Sequence, residues 1–155
     1  MQKLTWQDHL DGSATLVLRL GVTWFIFVWA VNKILTPGQY QQLVRYFDKV
    51  EIATWQVIAV AAAQVAVCLL AFVGFARLIS YGALLVMHFF TITRRWEGFL
   101  HPFEINDKGF PVNRNMVIDL AVLGAMIAML LLIRRDHYSV GGWLARHTGG
   151  WRFWM

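Results

Sequence analysis

The stretch that decides the fold is PVNRN at residues 111–115, which leads directly into the apolar run MVIDLAVLGAMIAMLLLI at residues 116–133. This run is long enough to cross a bilayer as a helix. It contains one acid, Asp119, about one turn inside its start. An isolated carboxylate at membrane depth costs roughly 2.5 to 3.5 kcal/mol on insertion scales. We therefore expect Asp119 to have a polar partner, a bound proton or a water-filled cavity beside it.

The composition is that of an integral membrane protein. Of the 155 residues, 58% are hydrophobic and only 15% are charged, and the mean hydropathy is +0.51. These values are too apolar for an ordinary soluble domain, and the sequence shows no alternation of the β-barrel type. The sequence therefore predicts an all-α, single-domain bundle of four membrane helices. We expect these helices at residues 16–35, 52–75, 78–93 and 116–133.

The segments outside the four helices are polar or amphipathic. Residues 1–15 carry two acids and no cleavage site follows, so we expect helix 1 to be retained and capped by Asp11 or Ser13. Between helices 1 and 2, residues 40, 43, 44 and 47 are apolar at helical spacing. That spacing predicts a short amphipathic helix on the membrane surface, with an ordinary connector packed on the bundle as the alternative. The C-terminal tail, residues 134–155, is basic and aromatic, which is typical of an interface with anionic lipid; docking of a partner protein is the alternative.

The positive charge of the chain does not indicate nucleic-acid binding. The net charge is +5, but the basic residues are scattered over helix ends and loops, so we expect no nucleic-acid partner. Seven Lys and Arg residues fall on the side that holds both termini and seven fall on the opposite side. The positive-inside rule therefore leaves the orientation open.

Polar residues gather at one face of the predicted bundle, where helix 1 ends, helix 2 begins, helix 3 ends and helix 4 begins. We predict that Asp119 pairs with Lys33, His88 or Arg95 and that this cluster lines a cavity open to the loops. A closed polar clasp that only fixes helix register is the alternative. The candidate catalytic residues are His88, which can exchange a proton near neutral pH, and Asp119. The candidate cofactor-binding residues are Lys33, Trp55, Gln56, Tyr81 and Arg95.

Other cofactor chemistries fit the sequence less well. His88 is the only histidine inside a predicted span. A haem held by two histidines on facing helices is therefore disfavoured, and so is a di-metal site. We expect no metal. The single cysteine, Cys68, cannot form a disulfide within the chain, and we expect it to be a small core residue. The cofactor is therefore unknown, with a quinone as the candidate.

Several short motifs follow one another in order along residues 16–133. They are LRLG at residues 18–21, which contains Arg19; Asn32 and Lys33 with Pro37; Pro111, Asn113, Arg114 and Asn115; and then Asp119 and Gly124. This order resembles the DoxX-like family of small four-helix bacterial membrane proteins. The resemblance implies a bundle in the bacterial cytoplasmic membrane, with both termini in the cytoplasm and the polar cluster near the periplasmic face. It marks Arg19, Lys33, Asn115 and Asp119 as motif positions and implies a link to quinone-coupled oxidation.

We therefore predict a small membrane subunit of a quinone-linked redox system, an oxidoreductase component if it is an enzyme. The alternatives are a non-catalytic accessory protein that recruits a partner complex and a small proton, ion or solute transporter. The expected partners are the lipid bilayer, a redox subunit and a second copy of the chain.

Overall fold

The computed structural model describes residues 4–94, 96–106, 109–111 and 113–150. Within these residues all regular structure is helical, apart from an isolated β-bridge between Ile105 and Pro111, which confirms the predicted all-α class. The α-helices, in chain order, are α1 (Trp6–Leu35), α2 (Pro37–Asp48), α3 (Thr54–Val73), α4 (Arg77–Thr93), α5 (Arg114–Leu131) and α6 (Val140–His147). Short 3₁₀ helices occupy Trp96–Phe99 and Ile133–Arg135.

Helix α1 begins ten residues earlier than the apolar run predicts. Thr5 is its N-cap, where the prediction named Asp11 or Ser13. The Thr5 hydroxyl accepts from the backbone N–H of Asp8 (3.2 Å), and the Asp8 carboxylate accepts from the N–H of Thr5 (2.8 Å). This reciprocal capping box satisfies two of the N–H groups that every helix start leaves unpaired. The prediction was wrong here because hydropathy marks where an apolar segment begins and not where a helix begins.

Two of the helices, α1 and α3, are long and apolar enough to cross a membrane, and α4 and the apolar part of α5 are shorter. The predicted helix between the first two spans is present as α2, with Pro37 in its first turn. Helices α3 and α4 form a hairpin through a tight turn in which Gly74 (φ 65°) and Ala76 (φ 46°) are left-handed. Gly74 tolerates this conformation because it has no Cβ.

The core lies between α1, α3, α4 and α5. Helix α1 packs mainly on α3, and α4 packs mainly on α5. Cys68 is fully buried, which confirms its predicted place in the core. The buried core residues are Val22, Ile26, Cys68, Ala71, Tyr81, Leu84, Met126, Met129 and Ile133.

The pattern of buried and exposed residues is partly the reverse of the pattern in a water-soluble protein. Several polar and charged residues are almost completely buried, whereas many large apolar side chains on the helices are exposed. In the most apolar 18 residues of α3, only 22% are buried. The buried polar residues are Thr15, Arg19, Thr23, Arg77, Ser80, His88, Asp136 and Ser139.

Candidate functional site

The centre of the polar core is an ion pair between α1 and the segment that follows α5. Nη1 of Arg19 donates to both carboxylate oxygens of Asp136 at 2.7 Å, and each side chain is only 3% exposed. Nη2 of Arg19 donates to the backbone oxygen of Tyr138 (2.8 Å). The charges of both residues are thus neutralised in a buried environment, where an unpaired charge would be strongly unfavourable.

Two residues at the start of α4 complete this cluster. The Tyr81 hydroxyl donates to Asp136 at 2.6 Å, so the carboxylate accepts from Arg19 and Tyr81 together. Nη1 of Arg77 donates to the backbone oxygens of Ile133 (2.8 Å) and Asp136 (3.0 Å), where the 3₁₀ turn after α5 exposes its carbonyls. We call Arg19, Arg77, Tyr81 and Asp136 the polar clasp, because they join α1, α4 and the C-terminal segment.

The turn between α3 and α4 fits closely beneath the polar clasp. A Cβ built on Gly74 would collide with the Ser139 side chain and would lie 2.7 Å from Nη1 of Arg19. The backbone oxygen of Gly74 accepts from the N–H of Gly141 (2.9 Å), and the Ser139 hydroxyl caps α6 through the N–H of Gly142 (3.0 Å). These contacts hold the start of α6 at the level of the α3–α4 turn.

The first turns of α1 extend beyond this level and pack against the same C-terminal segment. Asp8 lies 3.4 Å from His137, and Asp11 lies 3.3 Å from Arg135. Further contacts join His9 to the Tyr138 hydroxyl (2.6 Å) and the Thr15 hydroxyl to the backbone oxygen of Arg135 (3.4 Å). The polar extension of α1 therefore forms a layer with residues 135–138 at the end of the bundle that holds both termini.

Two buried atoms beside the polar clasp lack hydrogen-bond partners. Within the described residues they are Nε of Arg19 and Oγ1 of Thr23, one helical turn apart on α1. Other threonines of this segment behave differently, since Thr15 and Thr36 donate their hydroxyls to carbonyls of the preceding turn at 2.8 Å. The hydroxyl of Thr23 is thus buried without the usual compensation.

The predicted catalytic residues meet at the other end of the bundle. Nε2 of His88 donates to the backbone oxygen of Asp119 (2.9 Å), and the His88 ring lies edge-on against Phe25. His88 is buried, and Asp119 is half-buried. The structure therefore joins α4 to α5 at this point through the backbone oxygen of Asp119.

The predicted cofactor-binding residues occupy separate environments. Lys33 donates to the side chain of Gln64 (2.7 Å) and lies over the Tyr40 ring, while Gln56 caps α3 by accepting from the N–H of Ala53 (2.8 Å). Trp55 is 69% exposed. Tyr81 belongs to the polar clasp, about 10 Å from His88 along α4 at 1.5 Å per residue. Arg95 lies outside the described residues.

The residues of the short sequence motifs lie at helix ends, in the polar clasp and in the loop before α5. Arg19 is in the polar clasp, and the backbone oxygen of Asn32 accepts the Thr36 hydroxyl. Arg114 and Asn115 form the start of α5, and Pro111 pairs with Ile105 in the β-bridge. The Asn113 side chain donates to the backbone oxygen of His101 (3.0 Å) and to Glu104 (3.1 Å).

The loop between α4 and α5 is ordered by these Asn113 contacts and exposes large apolar side chains. Phe103 is the most exposed, at 85%. Four further apolar residues on this loop, Trp96, Leu100, Ile105 and Phe110, are each more than half exposed. We call these five residues the apolar loop surface.

Of the four residues of the polar clasp, sequence reasoning missed Arg77 and, with larger consequences, Asp136. It stands directly after Arg134 and Arg135 in a tail that was interpreted as basic and interfacial. The sequence did contain a signal for Asp136, because it is the only acid after Asp119 and can neutralise the charge of a buried Arg19. Sequence spacing did not show that a 3₁₀ turn bends this tail back onto α1.

Comparison with protein-family models, curated proteins and solved structures gives no match for this chain. The DoxX-like resemblance therefore remains a prediction based on its motifs. Among the described residues, no group of three or more His, Cys, Asp or Glu side chains is placed to hold a metal ion. The site is best described as a buried polar clasp at one end of the bundle and a His88–Asp119 contact at the other.

Proposed function

We propose that the chain is a multi-pass membrane protein in which α1, α3, α4 and α5 cross the bilayer as a four-helix bundle. The observation that carries this proposal is the inverted burial: Arg19 and Asp136 are 3% and 2% exposed, while Leu69 on α3 is 54% exposed. A water-soluble bundle of this size would bury the apolar side chains and solvate the charges. In a bilayer the same arrangement is favourable, because ionisable groups face the bundle interior and pair there.

The resemblance to DoxX-like proteins supports placement in the bacterial cytoplasmic membrane with both termini in the cytoplasm. Alkaline carbonate extraction of membranes tests the integral character of the protein. We expect the chain to stay in the membrane pellet and to require detergent for release. Release into the carbonate supernatant would overturn the proposal.

Within that setting, the geometry best supports an accessory membrane subunit that docks a partner through the apolar loop surface. Large apolar side chains that are exposed on one loop are candidates for an interaction site. Here they stand on a loop that is shaped by specific hydrogen bonds of Asn113 and by the Ile105–Pro111 bridge. The polar clasp, by contrast, uses its charges internally and is best explained as a structural element.

The test of the accessory role is stoichiometric co-purification of a partner chain in mild detergent. We expect Phe103→Asp to abolish co-purification, because it places a charge in the docking surface. The matched control is Trp6→Asp, which changes a similarly exposed aromatic residue (76%) in the polar first turn of α1. Retention of the partner by Phe103→Asp would contradict the docking role.

A quinone-linked redox subunit is the second candidate. It is favoured by His88, a buried imidazole between the aromatic ring of Phe25 and the backbone of Asp119. An imidazole nitrogen can donate or accept a proton, and the reduction of a quinone requires proton transfer to its oxygens. Lys33, the predicted cationic partner of the quinone among the described residues, donates its amine to Gln64.

This candidate is tested by gentle purification followed by extraction and identification of bound small molecules. A stoichiometric quinone that is lost from His88→Ala and Asp119→Asn would support it. His147→Ala is the control, because His147 lies on α6 at the other end of the bundle. A protein without bound quinone and with unchanged linked electron transfer in both variants would contradict it.

A further inference from the structure

The two ends of the bundle have equal numbers of basic residues but different numbers of acidic residues, so they differ in net charge. Counted by position along the chain, the end with both termini has seven Lys and Arg residues and three acids. The opposite end has seven Lys and Arg residues and six acids. All three acids of the first group have close partners: Asp136 contacts Arg19, Asp11 contacts Arg135, and Asp8 contacts His137. Arg19, Arg77 and Asp136 are buried, so on the described surface of this end the basic residues Arg134, Arg135 and Arg146 outnumber the acids Asp8 and Asp11.

A surface groove lies at this positive end, between α6 and the residues that precede it. Its lining residues are His137, Tyr138, Ser139, Val140, Trp143 and Arg146. Nη1 of Arg146 donates to the backbone oxygen of His137 (2.8 Å). A guanidinium has five N–H donors in a planar fork, so most of the Arg146 donors remain available for an anion.

The same groove has an apolar rim. Trp143, Val140 and Tyr138 are 52%, 40% and 38% exposed. Tyrosine and tryptophan beside cationic residues are typical of the boundary between lipid headgroups and acyl chains. The hydrogen bond from the Gly141 N–H to the Gly74 oxygen fixes this rim at the level where α3 ends and α4 begins.

We propose that this groove binds the headgroup of an anionic phospholipid. The phosphate contacts Arg146, and Trp143 and Val140 pack against the glycerol and the first acyl carbons. The occupant is a lipid of the adjacent leaflet because the groove combines positive charge with apolar rim residues at the ends of apolar helices. The inference rests on the proposed insertion of the chain into a membrane.

The test uses the full chain, purified in a neutral detergent and mixed with equal amounts of phosphatidylglycerol and phosphatidylcholine. Native mass spectrometry then measures how much of each lipid stays bound. We expect phosphatidylglycerol to be retained preferentially and Arg146→Gln to reduce its retention about fivefold, the factor for one basic residue at an anionic surface. The control is Arg45→Gln, which removes an exposed arginine paired with Glu51 on the opposite end.

If Arg146→Gln fails to fold, Trp143→Ala provides the test, because this half-exposed side chain lies on the surface of α6 and stacks on His147. We expect Trp143→Ala to lower the retention of both lipids, because the glycerol and acyl carbons that it packs against are common to the two. Equal retention of the two lipids, or equal losses in the groove variants and in Arg45→Gln, would overturn the lipid site. Carbonate extraction separates this result from a failure of the membrane proposal, since an integral protein without lipid preference contradicts only the groove.

Discussion

Arg19 and Asp136 are 117 positions apart in the sequence, yet Nη1 of Arg19 lies 2.7 Å from both carboxylate oxygens of Asp136 in the protein interior. This contact joins the first helix to the segment after the last helix of the bundle. Because Tyr81 donates to the same carboxylate, the pair also fixes α4. The order of the bundle at this end depends on one acid that lies outside every apolar run.

Replacement of Asp136 by Asn is expected to destabilise the protein strongly. Arg19 would keep its charge in a buried position without a counter-ion, which typically costs about 3 to 5 kcal/mol when one partner of a buried pair is removed. Thermal unfolding in mild detergent measures the change. Glu51→Gln is the control, because the Arg45–Glu51 pair is exposed and its loss should change stability by less than about 1 kcal/mol.

The double variant Arg19→Met with Asp136→Leu separates charge from packing. In the double variant only Arg77 stays charged in the polar clasp, and it keeps its backbone acceptors at Ile133 and at position 136. Asp136→Asn alone leaves both arginines without the carboxylate, so we expect the double variant to be the more stable of the two. A double variant as unstable as the single variant would show that the contact contributes through shape rather than charge.

Replacement of Gly74 by Ala is expected to destabilise the α3–α4 turn. The new methyl group would collide with Ser139, approach Nη1 of Arg19 and sit on a left-handed residue. We expect a loss of at least about 1 kcal/mol from the backbone conformation alone. Gly82→Ala on α4 is the matched control, since no atom lies within 4 Å of its added Cβ and alanine favours a helix. Equal melting temperatures for the two variants would contradict the close fit at Gly74.

Replacement of Tyr81 by Phe removes one donor to Asp136 while the ring stays in the core. A hydrogen bond to a charged group contributes roughly 1.5 to 3 kcal/mol, and we expect a loss in that range. Tyr46→Phe is the control, because Tyr46 is 70% exposed on α2. If the two variants unfold at the same temperature as the parent protein, the hydroxyl of Tyr81 does not stabilise the polar clasp.

Thr23 and Thr15 give opposite predictions for the same substitution. Thr15→Val removes a hydroxyl that donates to Asp11 and should destabilise the protein by about 1 kcal/mol. Thr23→Val removes a buried hydroxyl that has no hydrogen-bond partner in the structure and should stabilise it by a similar amount. Unfolding of both variants under the same conditions gives the sign of each change in stability. Destabilisation by Thr23→Val would mean that the Thr23 hydroxyl has a hydrogen-bond partner.

The helical class and the α3–α4 hairpin could be predicted because apolar run length and short connections depend on local sequence. The start of α1 could not be predicted from hydropathy, since the Thr5–Asp8 capping box lies in a polar segment. Tyr81 and His88 share a face of α4, but only the fold shows that Tyr81 belongs with Asp136 at the opposite end. Asp136 was missed because its role comes from a contact across 117 positions, and no local pattern encodes that distance.

The most direct test of the proposed four-helix crossing is two-sided cysteine labelling in intact bacterial cells. In a Cys68→Ala background, single cysteines are placed at exposed positions by Gln7→Cys and Phe75→Cys at the end with the termini, and by Tyr46→Cys and Phe103→Cys at the opposite end. We predict that a membrane-impermeant maleimide labels Tyr46→Cys and Phe103→Cys in intact cells and labels the other two only after permeabilisation. Labelling of Phe75→Cys and Tyr46→Cys from the same side would contradict a bundle in which α3 crosses the membrane.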